Sequence, residues 1–292
     1  MTSRRALMLF AAILMAALQA QARLNLPQTQ QVVTVPDDVV RMVLINLGPT
    51  TGAAPDLQPS VQELLLSILP KNFRGACSEM IEPWGEIAKG TDEWRVRVLL
   101  QQSGQVWLAF RCGSHAPDYD KYYDERLALL RLDAVRLELF PLGPDAENDS
   151  TLYHLEFAEI LPLDGAQGVA FKVTQPGENP GCDGPEFRSG ERLVVLTETP
   201  RGITESLSVV TAKDDSSHSD DPDVDSETTY RAEVKFDRDS HNLVTAATAT
   251  FHEEVKDITW ENGKAEPHTV SQRTGTLRYR WNPALLQFEE VK

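Results

Sequence analysis

Long apolar runs, cysteine, aromatic side chains and basic charge are all scarce in this chain of 292 residues, and each shortage closes off a class. The one sustained apolar stretch, residues 7–18, is about 12 residues long, whereas a membrane-spanning helix needs about 20. Nothing later approaches that length, so no transmembrane segment is expected in the mature chain. Three cysteines are too few for the crosslinked scaffolds that replace a core in small secreted domains. Lysine and arginine total 28 against 44 acids, a net charge of −16. A nucleic-acid partner would require a basic face to displace counterions from phosphate, so none is expected.

Catalytic signatures are missing too. There is no G-x-S-x-G elbow, no H-E-x-x-H, no paired C-x-x-C, no Walker loop and no dinucleotide glycine fingerprint. No cofactor is expected. A triad assembled from distant residues stays open, because triads are defined by geometry rather than spacing.

What is present begins with an address. Arg4 and Arg5, the apolar run and Ala20-Gln21-Ala22 have the order of a secretory signal. Residues 1–22 are therefore expected to direct export, to a periplasmic or extracellular place. An oxidising compartment favours a disulfide. Cys112 ends an expected strand and Cys77 lies in the connection feeding its hairpin, so Cys77–Cys112 is the favoured pairing of the three open ones. A loop of that length would stabilise by about 3 kcal/mol on closure. Cys182, in a loop by composition, is expected to be the thiol left over.

The hydrophobic fraction of 41% excludes a wholly disordered chain. Residues 37–47 space Val39, Val40, Val43, Leu44 and Leu47 as a helix does, with a β-branched strand as rival. Residues 60–69 form a firmer helix, with Ser60 and Glu63 at capping-box spacing and Pro70 as the stop. From residue 93 the period becomes two. Residues 94–100 and 105–111 flank a turn at Ser103-Gly104, and 127–132 and 135–140 flank Asp133-Ala134, so two hairpins are expected. After a polar break at 141–150, strands are expected over 152–161, 168–174, 192–198 and 204–212. Further strands are expected near 230–236, 243–251, 277–281 and 286–291. Residues 213–227 crowd acids with serines and read as a mobile loop, because like charges this dense repel.

These elements predict a mainly β fold, with α+β as the alternative. It is an antiparallel meander forming a sandwich, barrel or curved sheet, carrying one or two N-terminal helices. The expected organisation is a signal peptide at 1–22, a helical and linker region at 23–90 packed on the sheet, and an antiparallel β domain at 91–292, with two β subdomains divided at 141–150 as the alternative.

Two clusters are candidate sites. Tyr119, Tyr122 and Tyr123 lie among carboxylates in residues 118–126, and with Trp84 and Trp107 they could make an aromatic patch suited to sugars or peptides. The plainer alternative is a loop or helical turn whose rings pack on the sheet. Asp220, Asp221, Asp223 and Asp225 offer oxygen ligands for calcium, but Pro222 interrupts them and the EF-hand glycine is missing. His154 with Glu156, and His252 with Glu254, share strand faces and are the candidates for acid–base or metal chemistry. The leading expectation is an exported noncatalytic binding or cell-envelope protein whose partner is a small molecule, a glycan or a protein. An exported hydrolase with a histidine–carboxylate site and an apolar-ligand carrier are the alternatives.

Overall fold

The structure, a computed structural model, describes residues 31–47, 57–69, 93–102, 104–114, 122–132, 134–140, 154–178, 186–199, 202–218, 224–261 and 264–291. Within them the fold is mainly β, with antiparallel sheets, a barrel-like ring and two helices near the N-terminus. The first sheet holds β1 (Gln31–Thr34), β2 (Glu93–Gln102), β3 (Gln105–Ser114), β4 (Tyr122–Arg131) and β5 (Arg136–Phe140), in the order β1-β5-β4-β3-β2. Gly104 makes the β2–β3 turn at φ +78°, a left-handed conformation that costs glycine little. Between β1 and β2 the chain forms α1 (Asp37–Leu47) and α2 (Pro59–Ser67).

The second sheet holds β6 (His154–Leu163), β7 (Ala166–Glu178), β8 (Glu186–Thr199), β9 (Gly202–His218), β10 (Val224–Arg238), β11 (Val244–Glu261), β12 (Lys264–Asn282) and β13 (Gln287–Glu290). Its order is β10-β9-β8-β7-β6-β11-β12-β13, and β10 also pairs with β11, so the six strands from β6 to β11 close a ring. Closure at β6–β11 rests on a single parallel register pair, Leu163 with Val244. Trp281 Nε1 reinforces that corner by donating to the Asp164 carbonyl at 3.1 Å.

Three apolar layers hold these parts together. The helices lay Val39, Val43, Val61 and Leu65 on one face of the first sheet, against Val96, Leu108, Phe110, Leu130 and Leu137. The opposite face, through Trp107, Ala109, Leu127 and Leu129, packs on the outside of the ring at Val169, Phe171, Val194 and Leu196. The ring interior is occupied by Leu161, Ala170, Leu193, Val195, Leu207, Val209, Val244, Ala247 and Ala249, with Trp281 and Phe288. Burying each large aliphatic side chain contributes about 1.5–3 kcal/mol. Strands β3, β4, β7 and β8 are therefore covered on both faces, which explains their unbroken apolar text, such as Leu193-Val194-Val195-Leu196. In β10 only one face is covered. Ala232, Val234 and Phe236 are half-buried while Arg231, Glu233 and Lys235 are exposed.

One ion pair, Arg131 with Glu138, is buried with the apolar layers and is joined by the exposed Arg136 and Glu198. Arg131 Nε meets Glu138 Oε1 at 2.8 Å, Arg136 Nε meets the same oxygen at 2.7 Å, and Arg131 Nη2 reaches Glu198 of β8 at 2.9 Å. Burial alone lowers the Arg131 pKa. The hydrogen bond and charge of Glu138, with those of Glu198, outweigh that and hold it above its ordinary value.

The helix expected at 37–47 forms, because the buried face of Val39, Val40 and Val43 outweighs their β-branching. Other expectations need correction. The capping box does not form: α2 begins at Pro59, the position before it is Gln58, and no side-chain cap is made. Proline at the first helical position, with φ preset, moves the start upstream of Ser60. Gln62 instead ties the helix down, donating to the Leu57 carbonyl at 2.6 Å and accepting from the Val96 N–H at 3.0 Å. Residues 213–218 and 224–227 are strand rather than loop. Their register sets acids opposite neutral or basic residues: Asp214 opposite Thr229, Glu227 opposite Ser216, Asp225 opposite His218 and Asp215 opposite Arg188. Like charges directly opposite each other are thereby avoided. The acidic text therefore pairs. Residues 122–126, read as a loop or helical turn, belong to β4.

Candidate functional site

Strands β9 to β12 lie side by side through residues 212–218, 225–231, 252–258 and 267–274 as a ribbon at one end of the ring, and residues 266–274 of β12 are exposed. A groove of about 440 Å³ opens there, lined by Arg231, Ala232, Glu233, Thr250, Phe251, His252 and Thr274. Register builds it. Arg231 lies opposite His252, and His252 opposite Thr274; Glu233 lies opposite Thr250. Side chains from three sequence-distant segments thus form two rows of charge and hydroxyl across the strands.

An aromatic support sits on the same strands. The Tyr230 and Phe251 rings stack with centroids 5.5 Å apart and 22° between planes, and the Arg273 guanidinium lies 5.3 Å from the Phe251 centroid. Phe251 covers Gly275 so closely that a Cβ there would lie 2.5 Å from the ring. Only glycine admits that approach. Glu253 pairs with Arg273 at 3.0 Å. Burial, then the Glu253 charge, raises the Tyr230 phenol pKa against the opposing pull of Arg273. Arg231 is anchored by Asp214 Oδ2 at 2.8 Å.

The histidine–carboxylate candidates fall in different surroundings. His252 lines the groove. Glu254 is engaged elsewhere: it accepts from Gln272 at 3.0 Å and Thr269 at 3.1 Å, and pairs with Lys256 at 3.1 Å. The Gln272 hydrogen bond first, then Lys256 and Thr269, hold its carboxyl below the ordinary carboxylate range, so it is an ionised strand crosslink at neutral pH. His154 and Glu156 are both exposed on β6. Among the described residues no group of three or more His, Cys, Asp or Glu side chains is placed to hold a metal ion.

Of the aromatic candidates, Trp107 is 2% exposed and packs in the layer between the sheets, with ring centroids 5.9 Å from Phe140 and 5.2 Å from Phe171. It is a core side chain, not a member of a surface patch. Tyr122 and Tyr123 lie on β4 opposite Ser114 and Gly113, and Cys112 lies on β3 opposite Trp94 and Asp124. Asp225 is on β10 opposite His218 and Ile258. Trp84, Tyr119, Cys77, Cys182, Asp220, Asp221 and Asp223 lie outside the described residues, as do the Cys77–Cys112 pairing and the signal at 1–22.

Sequence reasoning missed Arg231, Phe251, Thr274 and Gly275 as neighbours. No local spacing could have joined them, because their proximity comes from register across three strands. Comparison of the chain with family models, curated proteins and solved structures finds no match.

Proposed function

We propose that this is an exported, noncatalytic binding protein of the cell envelope or extracellular space that meets its partner on the ribbon rather than inside the ring. The observation that carries this reading is the contrast between a ring interior occupied by apolar side chains and an open groove of charge and hydroxyl on β10–β12. Sites that fix a polar ligand place a few polar groups on one surface, and Arg231, Glu233, His252, Thr250 and Thr274 share one face of the strands, while Phe251 backs them from the other face with Ala232 and Gly275. The carrier alternative needed α2 as a cover over a cavity within the curved sheet, whereas α2 packs on the face of the first sheet turned away from the ring. The groove suits a glycan or an extended peptide, each presenting donors and acceptors along its length. Cys77–Cys112 and export remain part of this proposal.

Native mass spectrometry of the purified mature protein, beside the groove-filling variant Thr274→Trp, tests it. A copurifying glycan or peptide that disappears in the variant, with circular dichroism unchanged, is the expected result. A lipid retained by both proteins would overturn the reading in favour of an internal site.

A further inference from the structure

Where the first sheet meets the ring wall there is a cavity of about 20 Å³, lined in part by Gln102, Trp107, Gln167, Val169, Leu196 and Glu198. Two of its lining side chains carry buried donors without a protein acceptor, Trp107 Nε1 and Gln102 Nε2. The neighbouring polar groups are already held in place. Gln167 Nε2 donates to Gln102 Oε1 at 3.2 Å across the two sheets, Gln105 Nε2 donates to Glu198 Oε2 at 3.4 Å, and Arg131 fixes Glu198 Oε1 at 2.9 Å. Buried polar groups in folded proteins are nearly always hydrogen-bonded, so two orphan donors lining one cavity call for a shared acceptor.

The chemistry of that acceptor is narrow. It must take hydrogen bonds from an indole N–H and an amide N–H, which disfavours a cation. The Glu198 carboxylate on the same wall, with lone pairs to spare, disfavours an anion and favours a group that also donates. About 10–15 Å³ suffices for one water-sized oxygen, so the space holds one and little more. We propose that this cavity is a binding site for a single neutral hydroxyl oxygen, supplied either by a trapped water or by the hydroxyl of a small polyol entering from the side of Gln167 and Glu198, both of which are solvent-exposed. The site bridges β2 and β3 to β7 and β8 and does not depend on the ribbon groove.

Proton–nitrogen NMR of the full mature chain tests it, with the Trp107 indole resonance identified by its loss in Trp107→Phe. Should that variant not fold, Gln102→Leu identifies the same resonance by its shift. The expected result is cross-relaxation between the Trp107 indole proton and a water whose residence exceeds nanoseconds, diminished in Gln102→Leu. Glycerol is the probe for the second source: a saturable shift confined to the Trp107 indole and the Gln102 amide, with loss of the water signal, assigns the site to a polyol hydroxyl. No long-lived water at the indole together with no saturable glycerol shift would overturn the proposal.

Discussion

Strands β7 and β12 are both long and antiparallel, yet they belong to different physical worlds. β7 has apolar neighbours on both faces: Val169, Phe171 and Val173 meet the first sheet and Ala170 meets the ring interior. β12 is exposed through residues 266–274, and beyond the corner at Trp281 it is held chiefly by its register with β11. The difference teaches that strand length and strand burial have separate causes. Length follows from an available ladder of backbone partners; burial follows from what lies above and below. The exposed edge of β12 is also blunted. β13 pairs with it only from Tyr279 to Asn282, and the rest carries Pro267 and a bulge at Val270, which is 60% exposed. Proline and bulges are the usual devices against edge-to-edge pairing.

Substitutions should separate the two regions in order of size. Phe171→Ala empties the layer between sheet and ring and is expected to cost about 3–5 kcal/mol, read as a lower denaturant midpoint for the whole molecule. Glu138→Gln leaves Arg131 short of its buried partner and is expected to cost about 3 kcal/mol by the same assay. A loss below half a kcal/mol in either would break the comparison, since it would make the doubly covered strands as tolerant as the ribbon. Gly275→Ala pushes a Cβ into Phe251 and is expected to cost about 1–2 kcal/mol. That loss should be confined to faster amide exchange near residues 250–276, and Phe251→Leu in the same chain should restore protection. The smallest effect concerns pH. A carboxyl held below its ordinary value stabilises the fold above that value and stops doing so as pH falls through the lowered one. The Glu254 link to Thr269, Gln272 and Lys256 should therefore loosen only as pH falls through the lowered carboxyl value, beneath the ordinary carboxylate range, raising ribbon exchange, corrected for its intrinsic pH dependence, while β7 and β8 stay protected.

Much of this contrast was legible in the residues. Alternation in residues 230–236 gave a strand with one wet face, and residues 168–174 and 192–198 were readable as strands, although their burial on both sides was not. The turn at 237–242 was readable as well: Asp239 Oδ1 accepts from the His241 and Leu243 N–H groups, and Asn242 adopts φ +64°. Residues 252–261 and 264–276 were not legible as strand, because polar side chains on both faces leave no hydrophobic period to read. The four-residue β1 was equally silent, since its identity lies in its pairing with β5. The groove was hidden for the same reason as the ribbon that carries it. His252 was singled out for Glu254, two residues away on its own strand, whereas its cross-strand neighbours are Arg231 and Thr274.

Hydrogen exchange read by mass spectrometry, with and without the copurified partner, reaches the central claim most directly. The account predicts that peptides within 93–110, 127–140, 166–174 and 191–199 exchange only through global opening, while those within 250–276 exchange by local opening and gain protection when the partner is bound. Partner-dependent protection concentrated at Leu161, Val195, Leu207 and Ala249, with the ribbon unchanged, would place the ligand inside the ring and contradict it.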